Sequence, residues 1–204
     1  MDLESIMKKI KQHTPSVLGH EQLTKSAVLL PLIQKENELH VLFEVRAKSM
    51  RRQPGEICFP GGRIDMQDKG PREAAIRETT EELGISDEMI SDVFPLDYLV
   101  TPFGMIIYTY AGLISTRAPF QPNPAEVGEL FTVPLTFFLE TEPVIHHVNL
   151  QVQPEASFPF ELIPGGENYN WRTRQMDEYF YIYDENVIWG LTARILAHFV
   201  AMIR

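Results

Sequence analysis

Arg77 to Ile85 reads RETTEELGI, which puts three carboxylates, Glu78, Glu81 and Glu82, within five positions. On an α-helix, at ~100° per residue, the three share an arc of roughly 100°. Ile76, Thr79 and Leu83 fall on an adjacent stripe that can pack against a sheet. Like charges at these spacings repel by roughly a few tenths of a kcal/mol per pair. A hard divalent cation relieves that repulsion, because Mg²⁺ takes carboxylate oxygens and bridges them to substrate phosphates. Taken alone, three glutamates describe a solvated surface helix better than a metal site. The surroundings favour the metal: glycines at 61–62 precede the helix, Arg77 stands directly before the first glutamate, and Gly84-Ile85 close it.

The elements that must carry these residues follow from pattern. Pro71 suits the first position of a helix, where its missing N–H would have no partner, and Gly84 suits the stop, which predicts a helix over Pro71–Leu83. Upstream, Ala27–Ile33, Leu39–Arg46 and Glu56–Phe59 read as strands, and Leu3–His13 as a short amphipathic helix. Downstream, Tyr98–Val100, Met105–Ile114, Val144–Val152 and Tyr179–Tyr183 read as strands, with helices over Val133–Glu140 and Ile188–Ile203. A proline-rich loop spans 118–126, and an irregular stretch spans 154–175. Mixed strands bracketed by a few helices predict an α/β fold, helices covering a mixed sheet. One domain over 1–204 is expected, with a helical extension at 1–25 and a strand and helix at 176–204.

Composition excludes several classes. The net charge of −10 argues against nucleic acid and against an anionic membrane surface as partners. No stretch approaches the roughly 18 apolar residues of a spanning helix. The N-terminus lacks the apolar core of a signal peptide, and the closing AMIR is not a peroxisomal address of the Ser-Lys-Leu type. A single cysteine, Cys58, forms no internal disulfide, so a cytoplasmic location is expected. Against the acidic whole, residues 46–63 hold five cations (Arg46, Lys48, Arg51, Arg52, Arg63) and one acid, Glu56, a local balance of +4. A basic loop on an acidic chain points to a small anionic ligand or to a solvated loop. Arginine's planar fork suits phosphate, and Arg46, Arg51 and Arg52 are the candidates.

Gly62, Arg77, Glu78, Glu81, Glu82, Gly84 and Ile85 together resemble the signature of the Nudix hydrolases. Two departures stand out. Gly62 to Arg77 is fifteen steps, one more than the usual box, and Lys69 sits where a glutamate is usual, with Asp68 beside it. That usual glutamate is a structural partner of the arginine, so Asp68 is expected to substitute, with Arg77 and Asp68 as structural residues. Thr79 also replaces an aliphatic. The upstream run from Arg46-Ala47 through Arg51 and Gly55 to Phe59-Pro60-Gly61-Gly62 is similar to the segment preceding the box in the coenzyme A pyrophosphatase branch. The GGRIDMQD loop and Ile188–Ala193 also look like that branch, whereas Glu44 departs from its usual threonine.

The resemblance implies a Nudix-type α/β/α sandwich and hydrolysis of coenzyme A or a derivative to 3′,5′-ADP and 4′-phosphopantetheine. It implies Mg²⁺ (or Mn²⁺) held by Glu78, Glu81 and Glu82, with the Gly61 carbonyl as a further ligand. Glu78, Glu82 and Glu126 are the catalytic candidates, Glu126 as a later-loop base with Glu129 as its alternative. Arg46, Arg51, Arg52, Phe59 and Gly62 are the substrate-binding candidates. The partner is then a small nucleotide of the coenzyme A class, and the unit a monomer or homodimer. ADP-ribose or NADH hydrolysis, and a binding module without turnover, are the alternatives. Cys58 is expected to be an inert buried thiol and Trp189 a core residue. His146 and His147, on opposite faces of one strand, cannot chelate one ion together.

Overall fold

The computed structural model describes residues 2–115 and 118–204. After a helix α1 (Leu3–Lys11) come the strands β1 (Thr24–Lys35), β2 (Glu38–Arg46), β3 (Ile57–Cys58) and β4 (Gly61–Arg63). The predicted helix α2 (Pro71–Leu83) follows, then β5 (Ile90–Pro95), β6 (Leu99–Thr101), β7 (Met105–Ile114) and β8 (Val127–Pro134). A short α3 (Leu135–Glu140), the strands β9 (Val144–Leu150), β10 (Arg174–Tyr183) and β11 (Asn186–Trp189), and α4 (Gly190–Ile203) complete the chain.

The main sheet runs β3-β2-β1-β7-β5, with β4 paired to β1, β6 to β7 and β8 to β2. The β1–β7 pair is parallel and the remaining pairs are antiparallel, so the sheet is mixed as expected. Strand alternation divides it into two faces. Ala27 and Leu29 of β1 pack with Ala74 and Ala75 of α2 and with Val93. Leu42 of β2 meets Leu83 on that same side. On the opposite face Leu30, Val41, Phe43 and Val133 form one core with Tyr181, Ile188, Leu196 and Phe199. The small sheet β11-β10-β9 and α4 therefore cover that second face, giving an α/β/α sandwich.

Both ends of α2 obey local chemistry. Pro71 takes the first turn, and Gly84 is left-handed at φ 61°, its N–H returning to Thr80 O. A side chain at Gly84 would also meet the Gln121 carbonyl, which packs directly against it. Leu83 is fully buried, and burying a leucine is worth about 2 kcal/mol, enough to fix the end of the helix to the sheet. Thr79 satisfies its buried hydroxyl by donating 2.7 Å to Ala75 O, so it replaces an aliphatic with no unpaired group.

Several expectations need correction. The last helix begins at Gly190, not Ile188, because Asn186–Trp189 pairs with β10 as a strand. The stretch from Val133 starts as the end of β8, and its helix begins at Leu135. Strands β4, β5 and β8 add three elements that pattern alone missed. The N-terminal extension carries α1 to Lys11 and one 3-10 turn at His20–Gln22, and β1 already starts at Thr24. The C-terminal portion starts two residues earlier, at Arg174, and carries two strands before its helix.

Candidate active site

The three glutamates of α2 occupy a gradient from solvent to interior. Glu81 is outermost, its side chain 55% exposed, and it pairs with Arg77 Nη1 at 3.1 Å. Glu78 is half-buried and pairs with the same nitrogen at 2.9 Å. Glu82 is 5% exposed, and its Oε2 accepts the Gly61 N–H at 2.8 Å.

Arg77 holds the outer side together. Its Nε and Nη2 donate to the two oxygens of Asp68 at 3.0 and 3.1 Å, a bidentate fork, and Nη2 also reaches Arg63 O at 3.2 Å. Asp68 thus takes the place of the expected glutamate, despite the longer loop. The pairing holds the Asp68 carboxyl below its usual range, the arginine hydrogen bond being the largest cause.

The inner side has fewer cations. Burial first, then repulsion from Glu44, pushes the Glu82 carboxyl up to about 9, and Glu78 and Glu126 add to the repulsion. Burial also raises Glu78, which Arg77 only partly offsets. Glu126 reaches this cluster because the 118–126 loop is tied down on both sides. The Gln121 and Asn123 N–H groups donate to the Leu83 and Glu82 carbonyls, and the Ala47 N–H donates to Glu126 O. Asn123 Nδ2 orients the Glu126 carboxylate at 2.9 Å. Glu129, the alternative base, stands exposed on β8.

Gly61 and Gly62 join this cluster to the sheet. A Cβ on Gly62 would sit 2.5 Å from the Glu78 carboxylate, so only glycine allows that close approach. Gly61 also borders a cleft of about 320 Å³ that opens on the other side. Arg46, Cys58 and Phe59 line the cleft, with Phe103, Met176 and Trp189 forming much of its apolar wall. The Arg46 Nε is buried there without a hydrogen-bond partner.

The sequence-predicted residues thus divide. Glu78, Glu82 and Glu126 lie near enough to repel one another, Glu82 on the Gly61 N–H, while Glu81 faces outward on Arg77 and Gly62 backs Glu78. Arg46 and Phe59 border the cleft, although Phe59 is mostly core, stacked on Phe43 at 5.2 Å between centroids. Arg51 and Arg52 stay exposed and outside the cleft lining, and their loop contributes Gln53 and Glu56 instead. Cys58 donates to Glu44 Oε1 at 3.1 Å, and burial pushes its thiol far up, so it is no nucleophile. Trp189 is not core: it is 42% exposed, stacked on Phe180 at the cleft edge. His146 and His147 do separate, His147 pairing with Asp177 at 2.9 Å and His146 lying edge-on to Phe180. Sequence reasoning missed Arg194, on the first turns of α4, which borders the cleft. Its only signal was its place two residues after Thr192, whose hydroxyl ties α4 to Ile57 O at 3.2 Å.

The donor set suits a hard divalent cation: clustered carboxylate oxygens under mutual repulsion, with too few cations among the described residues. As the side chains stand, no three acidic or histidine groups converge to hold an ion among the described residues, since Gly61 and Arg77 engage the helix glutamates.

Residues 23–148, more than half of the chain, match the family model for the NUDIX domain. The peroxisomal coenzyme A diphosphatase NUDT7 of Mus musculus is 36% identical over 131 residues, 61% of this chain and 52% of that protein. The match thus spans about half of that relative's length. An uncharacterized Nudix hydrolase, NudL, of Photorhabdus laumondii is 31% identical over 171 residues, covering 84% of this chain and 80% of the relative. A solved MutT/nudix family protein from Enterococcus faecalis shares the fold, with a TM-score of 0.51 at 16% identity, covering 100% of this chain and 70% of the other.

Proposed function

The chain belongs to the Nudix hydrolases, and from that premise we propose that it cleaves the pyrophosphate of coenzyme A, or of an acylated or oxidised derivative, to 3′,5′-ADP and 4′-phosphopantetheine or its derivative. The observation that carries this reading is the junction at Gly61. On one side its N–H holds Glu82, and on the other it borders the cleft that the Arg46 guanidinium lines. A pyrophosphate lying across Gly61 meets carboxylates that hold a cation and a guanidinium that has a donor to give. The apolar wall of Phe103, Met176 and Trp189 suits the long pantetheine arm. The resemblance of Arg46–Gly62 to the coenzyme A branch, and the likeness to a coenzyme A diphosphatase, support the substrate class.

Glu78, Glu81, Glu82 and the Gly61 carbonyl would hold Mg²⁺ or Mn²⁺. Such an ion, when bound, supplies positive charge to the pyrophosphate oxygens and acidifies water. The chain's own groups do the rest. Arg46 binds and orients the phosphate away from the helix. Glu126, held by Asn123, takes a proton from the attacking water as it approaches one phosphorus in line, and the other phosphate leaves. Glu82, buried against Gly61, keeps bulk water from the inner side. Asp68 and Arg77 position the helix and touch no substrate.

A hydrolysis panel with Mg²⁺ tests the assignment: coenzyme A, dephospho-coenzyme A, ADP-ribose and NADH. Coenzyme A is expected to be turned over fastest. No cleavage of any coenzyme A species overturns the substrate class, and ADP-ribose or NADH would then take its place. Equal rates with and without the 3′-phosphate would remove Arg51 and Arg52 from the substrate-binding set.

A further inference from the structure

The strand facing α2 carries a carboxylate that the helix motif does not include. In β2, Leu42 packs towards Leu83, whereas Val41 and Phe43 face the opposite core. By strand alternation Glu44 shares the face of Leu42 and points to α2. It is 1% exposed. Its Oε1 accepts the Cys58 thiol at 3.1 Å, while its Oε2 is buried with no hydrogen-bond partner. Glu126 and Glu78 repel it, it repels Glu82, and Arg46 is the cation that attracts it. A carboxylate so placed costs several kcal/mol unless something compensates, and one thiol is a weak donor.

We infer that Glu44 is a further carboxylate of the divalent-cation site, acting from the sheet opposite the helix, and that it strengthens uptake of Mn²⁺ or Mg²⁺. The inference rests on the reading that the α2 glutamates hold a cation. It assigns Glu44 a role beyond theirs, since it lies outside the box, on a different element, and is the most deeply buried acid facing the cluster. A purely structural Glu44, held for its bond to Cys58, would instead leave metal binding untouched.

The test is Mn²⁺ titration of the full chain, followed by the spin-resonance signal of free Mn²⁺ and by calorimetry, for the parent, Glu44→Gln, Glu44→Thr and Glu82→Gln. Glu44→Gln is expected to weaken Mn²⁺ binding about tenfold, in line with losses on removing groups that support a metal site. Without metal, the same variant should melt at or above the parent temperature, because an uncompensated buried charge is gone, and its gain in melting temperature on adding Mn²⁺ should shrink. Glu44→Thr, which restores the branch residue, serves if the glutamine variant does not fold. If folded Glu44 variants bind Mn²⁺ as the parent does while Glu82→Gln loses it, this inference is overturned and the helix site stands. If Glu82→Gln also retains Mn²⁺, the helix site falls as well.

Discussion

Two sets of carboxylates flank α2, and they are neutralised in opposite ways. On the outer side Asp68, Glu78 and Glu81 gather round one guanidinium, each within 3.1 Å of Arg77. On the inner side Glu82 and Glu44 are buried, beside Glu126, with one N–H and one thiol as their close donors. Without metal, Arg77 neutralises the outer set and ties it together. The inner set is short of positive charge, and Gly61 joins it to the cleft. A divalent cation held as proposed would answer the charge deficit of the second set and draw Glu78 and Glu81 from the first. The sharpest way to break this contrast is Glu82→Gln. Hydrolysis is expected to fall by orders of magnitude, while the metal-free protein keeps its melting temperature or gains a little, because glutamine stands in for the protonated carboxyl that burial favours. Turnover assays alongside thermal unfolding in chelator check both halves. A non-catalytic nucleotide-binding module would be indifferent in the first assay.

Asp68→Asn probes the outer set and should have the opposite profile. The amide keeps the shape but removes the charge from the fork on Arg77. Hydrogen bonds to charged groups are worth about 1.5–3 kcal/mol, and this arginine is partly exposed, so solvent screening reduces the loss to about 1 kcal/mol. For a chain of this size that is roughly a 2–4 °C fall in melting temperature. Metal affinity should change little, since Arg77 still engages Glu78 and Glu81. A loss of Mn²⁺ binding as large as that of Glu82→Gln would erase the distinction between the two sets.

How much of this was legible depended on whether local chemistry or tertiary pairing decided each feature. The limits of α2 were readable because Pro71 and Gly84 act locally, whereas the pairing of Arg77 with Asp68 was expected only from the family resemblance, Asp68 standing one residue from the usual place. Strand β4 was not, since a Gly-Gly segment pairs only because β1 lies beside it. Strand β5 hid behind a register shift between Ser91 and Phe94, with Asp92 at φ 51°. Trp189 was misjudged because IWGLTA reads as one apolar helix, whereas Gly190, at φ 63°, breaks it and leaves the ring at the cleft edge. Glu44 looked like a blemish in a motif. The apolar run at 41–43 is buried on both faces, so alternation there was masked, and only the packing of Leu42 against Leu83 shows which way Glu44 points.

The smallest effect sharpens the contrast through pH. Burial pushes Glu82 up to about 9 and Glu44 to about 7, from an ordinary value of 4.5. Between the unfolded and folded values the folded protein retains protons that the unfolded chain has released. Stability therefore falls as pH rises, because the native state binds more protons. Their contribution is fully present below about pH 4.5 and lost as pH climbs through 7 and on to about 9. Asp68 acts in the opposite sense, its stabilisation being present above the ordinary value of 3.8 and lost as pH falls from there through its lowered value. In chelator, the melting temperature is accordingly expected to decline between pH 6 and pH 9, by roughly a few degrees. Glu82→Gln should flatten that decline, and Asp68→Asn should leave it in place. Added Mg²⁺ should offset it, since a cation stabilises the same carboxylates in their charged form and binds better as they lose protons. A parent protein whose metal-free melting temperature is level across this range would show that the inner carboxylates are already compensated, and would remove the difference between the two sides of α2.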